Sequence, residues 1–310
     1  DRSVSRGLGD VYKRQVFARL AQFVSLIILL VAGTGLIGVS ISYLIYGVVL
    51  REIYRYYFNH YNDIGDKLKK TNYKPDKRDI WDLFKIIWHN AWKEGAVSLA
   101  NYFCNQMGTI VSSLYLSLEE TGIYSMGVQL ASAMVTFAYA MYTSYQPSIQ
   151  SAISNKDDET VRKNFSYTVF VYIAIVIIGT AVLISAGPVL IRIVKPEMNI
   201  GRTVLLGVTV YQFILKFRNC YTSYLSNSNR IIYFKAFMVF AVVCVGLEFL
   251  LCGVFNMGMW GLVAAQIISQ LVYNFWHWPL VVHKELKMSF TDLIKLGYSE
   301  TRKKFIRKSA

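Results

Sequence analysis

Long apolar segments alternate with short charged segments along this chain of 310 residues. Five apolar segments, residues 20–50, 95–118, 121–155, 164–191 and 249–283, contain no Asp, Glu, Lys or Arg. A helix needs roughly 20 apolar residues to cross a bilayer, and the strict alternation of a transmembrane strand is missing. The pattern therefore predicts an all-α fold, a polytopic bundle of transmembrane helices.

Charges and turn residues divide the chain into eight expected spans. The first two spans are predicted to form a hairpin that turns at Gly33-Thr34-Gly35, and a single tilted helix is the alternative for this pair. The spans cover residues 16–32, 36–57, 86–116, 121–147, 165–191, 203–226, 231–255 and 258–282.

Composition agrees with a membrane protein. Of all residues 54% are hydrophobic and 17% are charged, whereas soluble domains carry roughly 25% charged residues. Lys and Arg number eight in residues 51–79, three in 154–164, two in 227–235 and eight in 283–310, against three in 192–202. Because cytoplasmic loops are rich in Lys and Arg, both ends of the chain are expected in the cytoplasm. The net charge of +14 lies between the spans, so nucleic acid is not an expected partner.

Five regions follow from this pattern. Residues 1–15 are unlike the rest and resemble translated adapter sequence, so we exclude them as a non-native leader and expect native N-terminal sequence to be missing. Residues 16–58 hold two spans, 59–80 a cytoplasmic linker or surface helix, 81–283 a six-helix bundle, and 284–310 a basic cytoplasmic tail.

Polar residues recur every three or four positions within four of the spans, which places them on one face of each helix. They are Asn90, Glu94, Ser98, Asn101 and Asn105; Ser125, Gln129, Ser132, Thr136 and Thr143; Gln212, Lys216, Asn219 and Ser223; and Gln266, Gln270, Asn274 and His277. A polar group stranded in hydrocarbon costs several kcal/mol. The four faces therefore predict a shared hydrated cavity, and hydrogen bonds from helix to helix are the alternative.

Ionisable residues within the spans indicate which cargo the cavity suits. Lys216 and Arg218 lie in the middle of a span, and we expect them to line the cavity; a structural pair with Glu248 is the alternative. Lys93 and Glu94 lie near a span end, where extension to the headgroups is equally expected. A cavity with surplus positive charge suits an anionic cargo such as a diphosphate.

No catalytic or cofactor motif is present in the sequence. The cysteines (Cys104, Cys220, Cys244 and Cys252) lie within spans, and neither they nor the four histidines have metal-ligand spacing. Residues 33–38 match the dinucleotide-binding pattern, but they lie between apolar spans with no strand before them. We therefore expect no metal, no cofactor and no enzymatic activity.

Residues 119–152 carry Gly122, Tyr124 and Gly127, followed by a helix of small and aromatic residues that reaches Pro147 before a charged loop. This segment resembles the signature of polysaccharide and O-antigen flippases of the Wzx type. They belong to the multidrug/oligosaccharidyl-lipid/polysaccharide exporter superfamily, which includes multidrug extruders and the lipid II flippase. The segments GMWGLVAAQIIS (258–269) and GLIGVSIS (35–42) are similar to the last and sixth helices of that family.

The resemblance implies about twelve spans in two halves, of which this chain would hold spans five to twelve. It implies transfer of an undecaprenyl-diphosphate-linked oligosaccharide across a bacterial plasma (inner) membrane by alternating access. Membrane lipids and a polysaccharide polymerase or chain-length machinery would be the partners, and H⁺ or Na⁺ the coupling ion.

Residue roles rest on the polar faces rather than on the resemblance. The expected substrate-binding residues are Lys93, Asn101, Asn105, Gln129, Gln212, Lys216 and Arg218, and the expected ion-coupling residues are Glu94 and Glu248. The cations would attract the diphosphate, and the amides would bind sugar hydroxyls. A drug/cation antiporter of the same superfamily, a membrane-embedded polysaccharide polymerase or acyltransferase, and a scaffold without transport activity are the alternatives.

Overall fold

The computed structural model describes the backbone of residues 2–60, 76–194 and 200–309, and the side chains of residues 17–56, 76–189, 191–193 and 200–304. These residues are almost entirely helical, as predicted. The helices are α1 (Arg2–Val31), α2 (Gly35–His60), α3 (Lys77–Tyr115), α4 (Leu118–Ser154), α5 (Asp158–Val194), α6 (Arg202–Asn227), α7 (Phe234–Phe249), α8 (Met259–Leu271), α9 (Asn274–Leu286) and α10 (Phe290–Ser309).

The chain divides into two compact units, Asp1–Trp81 and Asp82–Ala310. In the first unit α1 and α2 form the predicted hairpin. Gly33 (φ 78°) and Gly35 (φ 55°) adopt left-handed conformations that favour glycine, and the Thr34 hydroxyl donates to the Leu29 carbonyl at 2.6 Å. Most of the predicted linker, residues 61–75, lies outside the described residues.

Each predicted span lies in helical structure. Among the described residues, four helical stretches are long and apolar enough to cross a membrane by length and composition alone: Gly35–Tyr56, Leu118–Ser154, Asp158–Ile193 and Phe234–Val254. Phe17–Val31 is apolar but shorter. Helices α3 and α6 are less apolar along their described lengths, as expected of helices that turn one face away from lipid, and α8 is apolar but has only 13 residues.

Several predicted boundaries were wrong. The last span is broken at Val272 and Tyr273, which separate α8 from α9. Asn274 begins α9, and its buried side chain accepts a hydrogen bond from Trp278 Nε1 at 2.8 Å. Helix α7 ends in a π-helical turn, Leu250–Val254. Helix α3 begins nine residues earlier than predicted, and α4 continues through Pro147 to Ser154.

The predicted basic tail forms helix α10, which packs on α5. Its N-terminus is capped by Ser289 and Asp292, whose side chains each bond the other's backbone N–H at 3.2 and 3.1 Å. Leu293 is fully buried, and Lys304 Nζ lies 3.6 Å from the centre of the Tyr167 ring. The tail is therefore part of the folded bundle.

Aromatic residues fill the core where α4, α5 and α6 meet. The Tyr142 hydroxyl of α4 donates to the Cys220 carbonyl of α6 at 2.6 Å, and the Tyr172 hydroxyl of α5 donates to the Phe213 carbonyl at 3.1 Å. Because these buried hydroxyls have partners, the rings add apolar burial without a polar penalty. The contacts fix the rotation of α4 and α6, and thus the face that each helix presents.

Candidate functional site

A polar cavity of about 670 Å³ lies among α3, α4 and α6. Its lining residues are Asn101, Asn105, Gln106, Thr109, Ser125, Val128, Gln129, Ser132, Ala133, Thr136, Gln212, Leu215, Lys216, Arg218 and Asn219. Six of the seven predicted substrate-binding residues are in this set. The lining contains two cations and no carboxylate, and its other polar members are amides and hydroxyls. The volume is typical of ligand sites.

Helix α4 separates this cavity from an apolar groove. Gln129 faces the cavity, whereas its neighbour Leu130 faces a groove of about 550 Å³ between α4 and α5. The same alternation is repeated two turns later, where Thr136 lines the cavity and Phe137 the groove. The spacing of Ser, Gln and Thr along α4 thus produces one polar wall on an otherwise apolar helix.

Arg218 lies at the back of the cavity and is fully buried. Its Nη2 donates to Asn101 Oδ1 at 2.8 Å and to Asn219 Oδ1 at 3.0 Å, and its Nη1 donates to Gln270 Oε1 at 3.1 Å. The guanidinium carbon lies 3.9 Å from the centre of the Phe237 ring, a cation–π contact. No acidic residue pairs with it in the part of the chain that the structure describes.

The contacts of Arg218 orient the neighbouring amides. Arginine has only donors, so each amide atom that it contacts must be an oxygen. The amide nitrogens of Asn101 and Asn219 are therefore turned away from Arg218, and both residues line the cavity. Arg218 also lines the cavity but has no exposed surface, so the amides that it orients are the groups that a ligand would meet first.

Lys216 is the cation that a ligand can reach directly. It lines the cavity, is partly exposed, and its Nζ lies 5.3 Å from the centre of the Tyr139 ring. No carboxylate among the described residues forms an ion pair with it. The predicted placement of Lys216 in the cavity is the one found in the structure.

Lys93 and Glu94 lie outside the cavity. Lys93 Nζ contacts His89 Nε2 at 3.1 Å, and Glu94 accepts a hydrogen bond from the Tyr233 hydroxyl at 2.9 Å. Since a helix rises 1.5 Å per residue, Lys93 lies about 12 Å along α3 from Asn101. The expected role of Lys93 in cargo binding is therefore not supported by its position, because it shares the helix but not the depth of the cavity residues.

Glu248 lies behind the cavity and is fully buried. Its Oε1 accepts a hydrogen bond from Gln266 Nε2 at 2.8 Å. It forms no ion pair with Lys216 or Arg218, so the alternative of a structural pair was wrong. Sequence periodicity predicts which residues share one face of a helix, but it does not predict which charged residues meet across two helices. Here Gln266 binds Glu248 and Gln270 binds Arg218, so the two charged side chains do not meet.

Sequence reasoning missed several members of the site. Gln106 and Thr109 line the cavity beside the predicted stripe, and their polarity within an uncharged span was an available signal. Gln270 was placed on a polar face but given no role, although it binds Arg218. Phe237, which lies against the guanidinium, gave no signal in an apolar helix.

No protein-family profile and no curated protein matches the sequence. The chain is similar to solved structures, of which three share 12% sequence identity with it. A Pyrococcus furiosus MOP superfamily transporter, described as having a binding pocket of reverse polarity that suggests a different function, matches with a TM-score of 0.58 over 88% of this chain and 63% of its own. An outward-facing multidrug resistance MATE family transporter of the MOP superfamily gives the same values.

A crystal structure of MATE in the bent conformation matches with a TM-score of 0.60 over 89% of this chain and 62% of its own. This chain thus spans about 63% of the length of the solved structures that it matches. At 12% identity the likeness concerns the fold. The chain has the all-helical fold of MOP superfamily transporters.

Proposed function

We propose that this chain forms most of a bacterial plasma-membrane transporter that flips an undecaprenyl-diphosphate-linked oligosaccharide to the outer leaflet. The observation that carries the proposal is the lining of the cavity, with two cations, no carboxylate and many amide and hydroxyl groups. Such a lining offers charge to a diphosphate and hydrogen bonds to a sugar. Membrane lipids surround the protein, and a polysaccharide polymerase or chain-length machinery would receive the product.

The charge of the cavity favours an anionic cargo over a cationic one. Two unit charges 4 Å apart interact by about 4 kcal/mol at an effective dielectric constant near 20. Lys216 would attract a diphosphate by about this amount and would repel a cationic drug as strongly. Arg218, which lines the cavity without exposed surface, adds to the same electrostatic field. The drug/cation antiporter would need carboxylates in the cavity, and the lining residues include none.

Amides in the cavity suit the oligosaccharide part of the cargo. Asn105 and Gln129 are exposed to the cavity, and Gln212 lies deeper in its wall. Each amide offers both donors and acceptors, the combination that matches sugar hydroxyls. One half rocking against the other around this site would expose it alternately to each side of the membrane.

The fold supports a role in transport but gives no information about the cargo. Two of the matched structures are described as MATE proteins, and a third as a MOP superfamily transporter with a pocket of reverse polarity. Proteins that share a fold can differ in the charge of their sites. We therefore assign transport from the fold and the anionic cargo from the cavity, and we propose no enzymatic role.

Flipping in proteoliposomes tests the proposal. The full-length protein would be reconstituted with a fluorescent polyprenyl-diphosphate sugar, and the outward rate measured by reduction of the exposed dye. Lys216 is partly exposed, so water in the cavity screens most of its attraction. Lys216→Gln should therefore slow flipping by about tenfold, the effect of losing about 1.4 kcal/mol. Lys93→Gln removes an equal charge outside the cavity and should leave the rate unchanged. Equal loss in both variants, or transport of a cationic dye instead, would overturn the proposal.

A further inference from the structure

A buried carboxyl lies behind the cargo cavity. Glu248 of α7 has no exposed surface. Its Oε1 accepts from Gln266 Nε2 at 2.8 Å and lies 3.9 Å from Cys244 Sγ. Its Oε2 has no hydrogen-bond partner among the described residues. Half of this carboxyl is therefore unsatisfied in an apolar interior.

A glycine makes room for the carboxyl. A Cβ placed on Gly108 of α3 would lie 2.8 Å from the Tyr124 hydroxyl and 3.4 Å from Glu248 Oε1. Gln266 of α8 donates also to the Cys104 carbonyl of α3 at 2.8 Å. Helices α3, α4, α7 and α8 thus meet around Glu248, and each contributes a group to its surroundings.

No cation faces Glu248 from any of the described helices around it. The titratable groups near it are the hydroxyls of Tyr124 on α4 and Tyr211 on α6, and the thiols of Cys244 and Cys252. Tyrosine hydroxyls and thiols ordinarily carry no charge at neutral pH. A buried carboxylate without a counter-charge costs much more than the neutral acid. The surroundings therefore favour a carboxyl that holds a proton.

Helix α8 connects this carboxyl to the cargo cavity. Gln266 and Gln270 are four residues apart and lie on one face of the helix. Gln266 binds Glu248 at 2.8 Å, and Gln270 binds Arg218 at 3.1 Å. A change in the charge of Glu248 must change what Gln266 can donate or accept, and one turn away Gln270 holds the cation of the cavity.

We propose that Glu248 is the proton-coupling site of this transporter. The neutral acid releases its proton to water when the bundle opens to one side of the membrane, leaving a carboxylate that needs a further donor. It takes up a proton from water when the bundle opens to the other side. The shift of Gln266 that satisfies the carboxylate moves α8, and through Gln270 it moves Arg218. The inference rests on the proposed function and deepens it by naming the ion and the route of coupling.

The ligand set favours a proton over Na⁺. A sodium ion would be held by several oxygens, as hard cations are. Glu248 is the one carboxylate among the described groups of this cluster, and Gln266 turns one N–H towards it, its other N–H being bonded to the Cys104 carbonyl. The other groups of the cluster are thiols and tyrosine hydroxyls. A carboxyl with these neighbours can exchange a proton without any further ligand.

Infrared titration of the full-length protein tests the site without any cargo. The wild-type protein should show a protonated carboxyl band that disappears as the pH rises, and Glu248→Gln should lack that band. Glu94→Gln should keep it, because Glu94, the other expected ion-coupling residue, is exposed and bonded to Tyr233 and has no part in the proposed proton site. A band that persists in Glu248→Gln would overturn the proposal, whatever the cargo proves to be.

Transport then tests the coupling. A pH gradient across proteoliposomes should accelerate flipping of the polyprenyl-diphosphate sugar by wild type and Glu94→Gln, and should have no effect on Glu248→Gln. Cargo binding to Glu248→Gln in detergent should stay close to that of wild type, which separates coupling from a folding defect. Acceleration by a Na⁺ gradient instead, or a normal pH response of Glu248→Gln, would contradict the proposal. If wild type moves no anionic cargo, the proposed function fails, while the infrared result still decides the proton site.

Discussion

The isosteric change Gln270→Glu is expected to weaken cargo binding while leaving the stability of the protein nearly unchanged. Gln270 is fully buried, and its Oε1 accepts from Arg218 Nη1 at 3.1 Å. Its Nε2 has no partner among the described residues, so exchanging that nitrogen for oxygen removes an unsatisfied donor. The new carboxylate would form a close ion pair with Arg218 without altering side-chain volume.

The expected effects differ in size for stability and for binding. The ion pair gains about 4 kcal/mol at 4 Å with a dielectric constant near 20, and burying the carboxylate costs several kcal/mol. Stability should therefore change little. A cargo charge in front of the Asn101 amide lies about 8 Å from Arg218, where the attraction is about 2 kcal/mol per unit charge. Neutralising Arg218 should then weaken cargo binding by about 30-fold.

Binding of a fluorescent polyprenyl-diphosphate sugar in detergent, together with thermal unfolding of the same samples, provides the measurement. Gln150→Glu is the matched control, since it adds the same charge at an exposed position near the end of α4. The control should bind cargo as wild type does. If Gln270→Glu unfolds at the wild-type temperature and binds cargo with the wild-type affinity, the field of Arg218 plays no part in binding.

Three further predictions concern the fold. Gly297→Ala would place a Cβ 2.5 Å from the Ser166 carbonyl oxygen, so α10 should undock from α5 at a cost of about 1–3 kcal/mol. Trypsin should then cleave α10 faster than it does in the control Gly246→Ala, whose Cβ meets nothing within 4 Å. Ser117→Ala removes the capping box of α4 and should lower the free energy of unfolding by about 1 kcal/mol, seen as a lower melting temperature in detergent. Burial lowers the pKa of His283, beyond the predicted end of the last span, from its usual value of 6.5. Its contribution to stability should be complete above pH 6.5 and decline as the pH falls below 6.5, because the unfolded chain takes up the proton first; melting temperatures across this range should show the decline, and His283→Gln should abolish it.

The cavity could be predicted from the sequence because its residues recur at helical spacing within uncharged spans. Asn101, Gln129 and Gln212 come from three different helices, and each was identified from the pattern of its own helix alone. How deeply each side chain is buried could not be predicted from the same pattern. Lys216 is partly exposed in the cavity and Arg218, two residues later, is fully buried, since a step of two rotates the side chain by about 200°.

The break between α8 and α9 and the start of α10 show which helix boundaries can be predicted from the sequence. The break at Val272 and Tyr273 leaves no trace in the hydrophobic pattern, since both residues are apolar or aromatic and the segment stays uncharged on either side. Helix α10 was predictable, because Ser289-x-x-Asp292 followed by Leu293 is a helix-start signal.

The separation of Arg218 from Glu248 is itself informative. Both groups are fully buried, and a direct ion pair would have compensated both charges. The chain instead places Gln266 against one and Gln270 against the other, which gives each group a hydrogen bond but no counter-charge. A direct pair would cancel the positive field that an anionic cargo needs and would hold Glu248 permanently ionised. Two glutamines on one helix face keep the cation available to cargo and the carboxyl available to a proton, and they still join the two mechanically through α8.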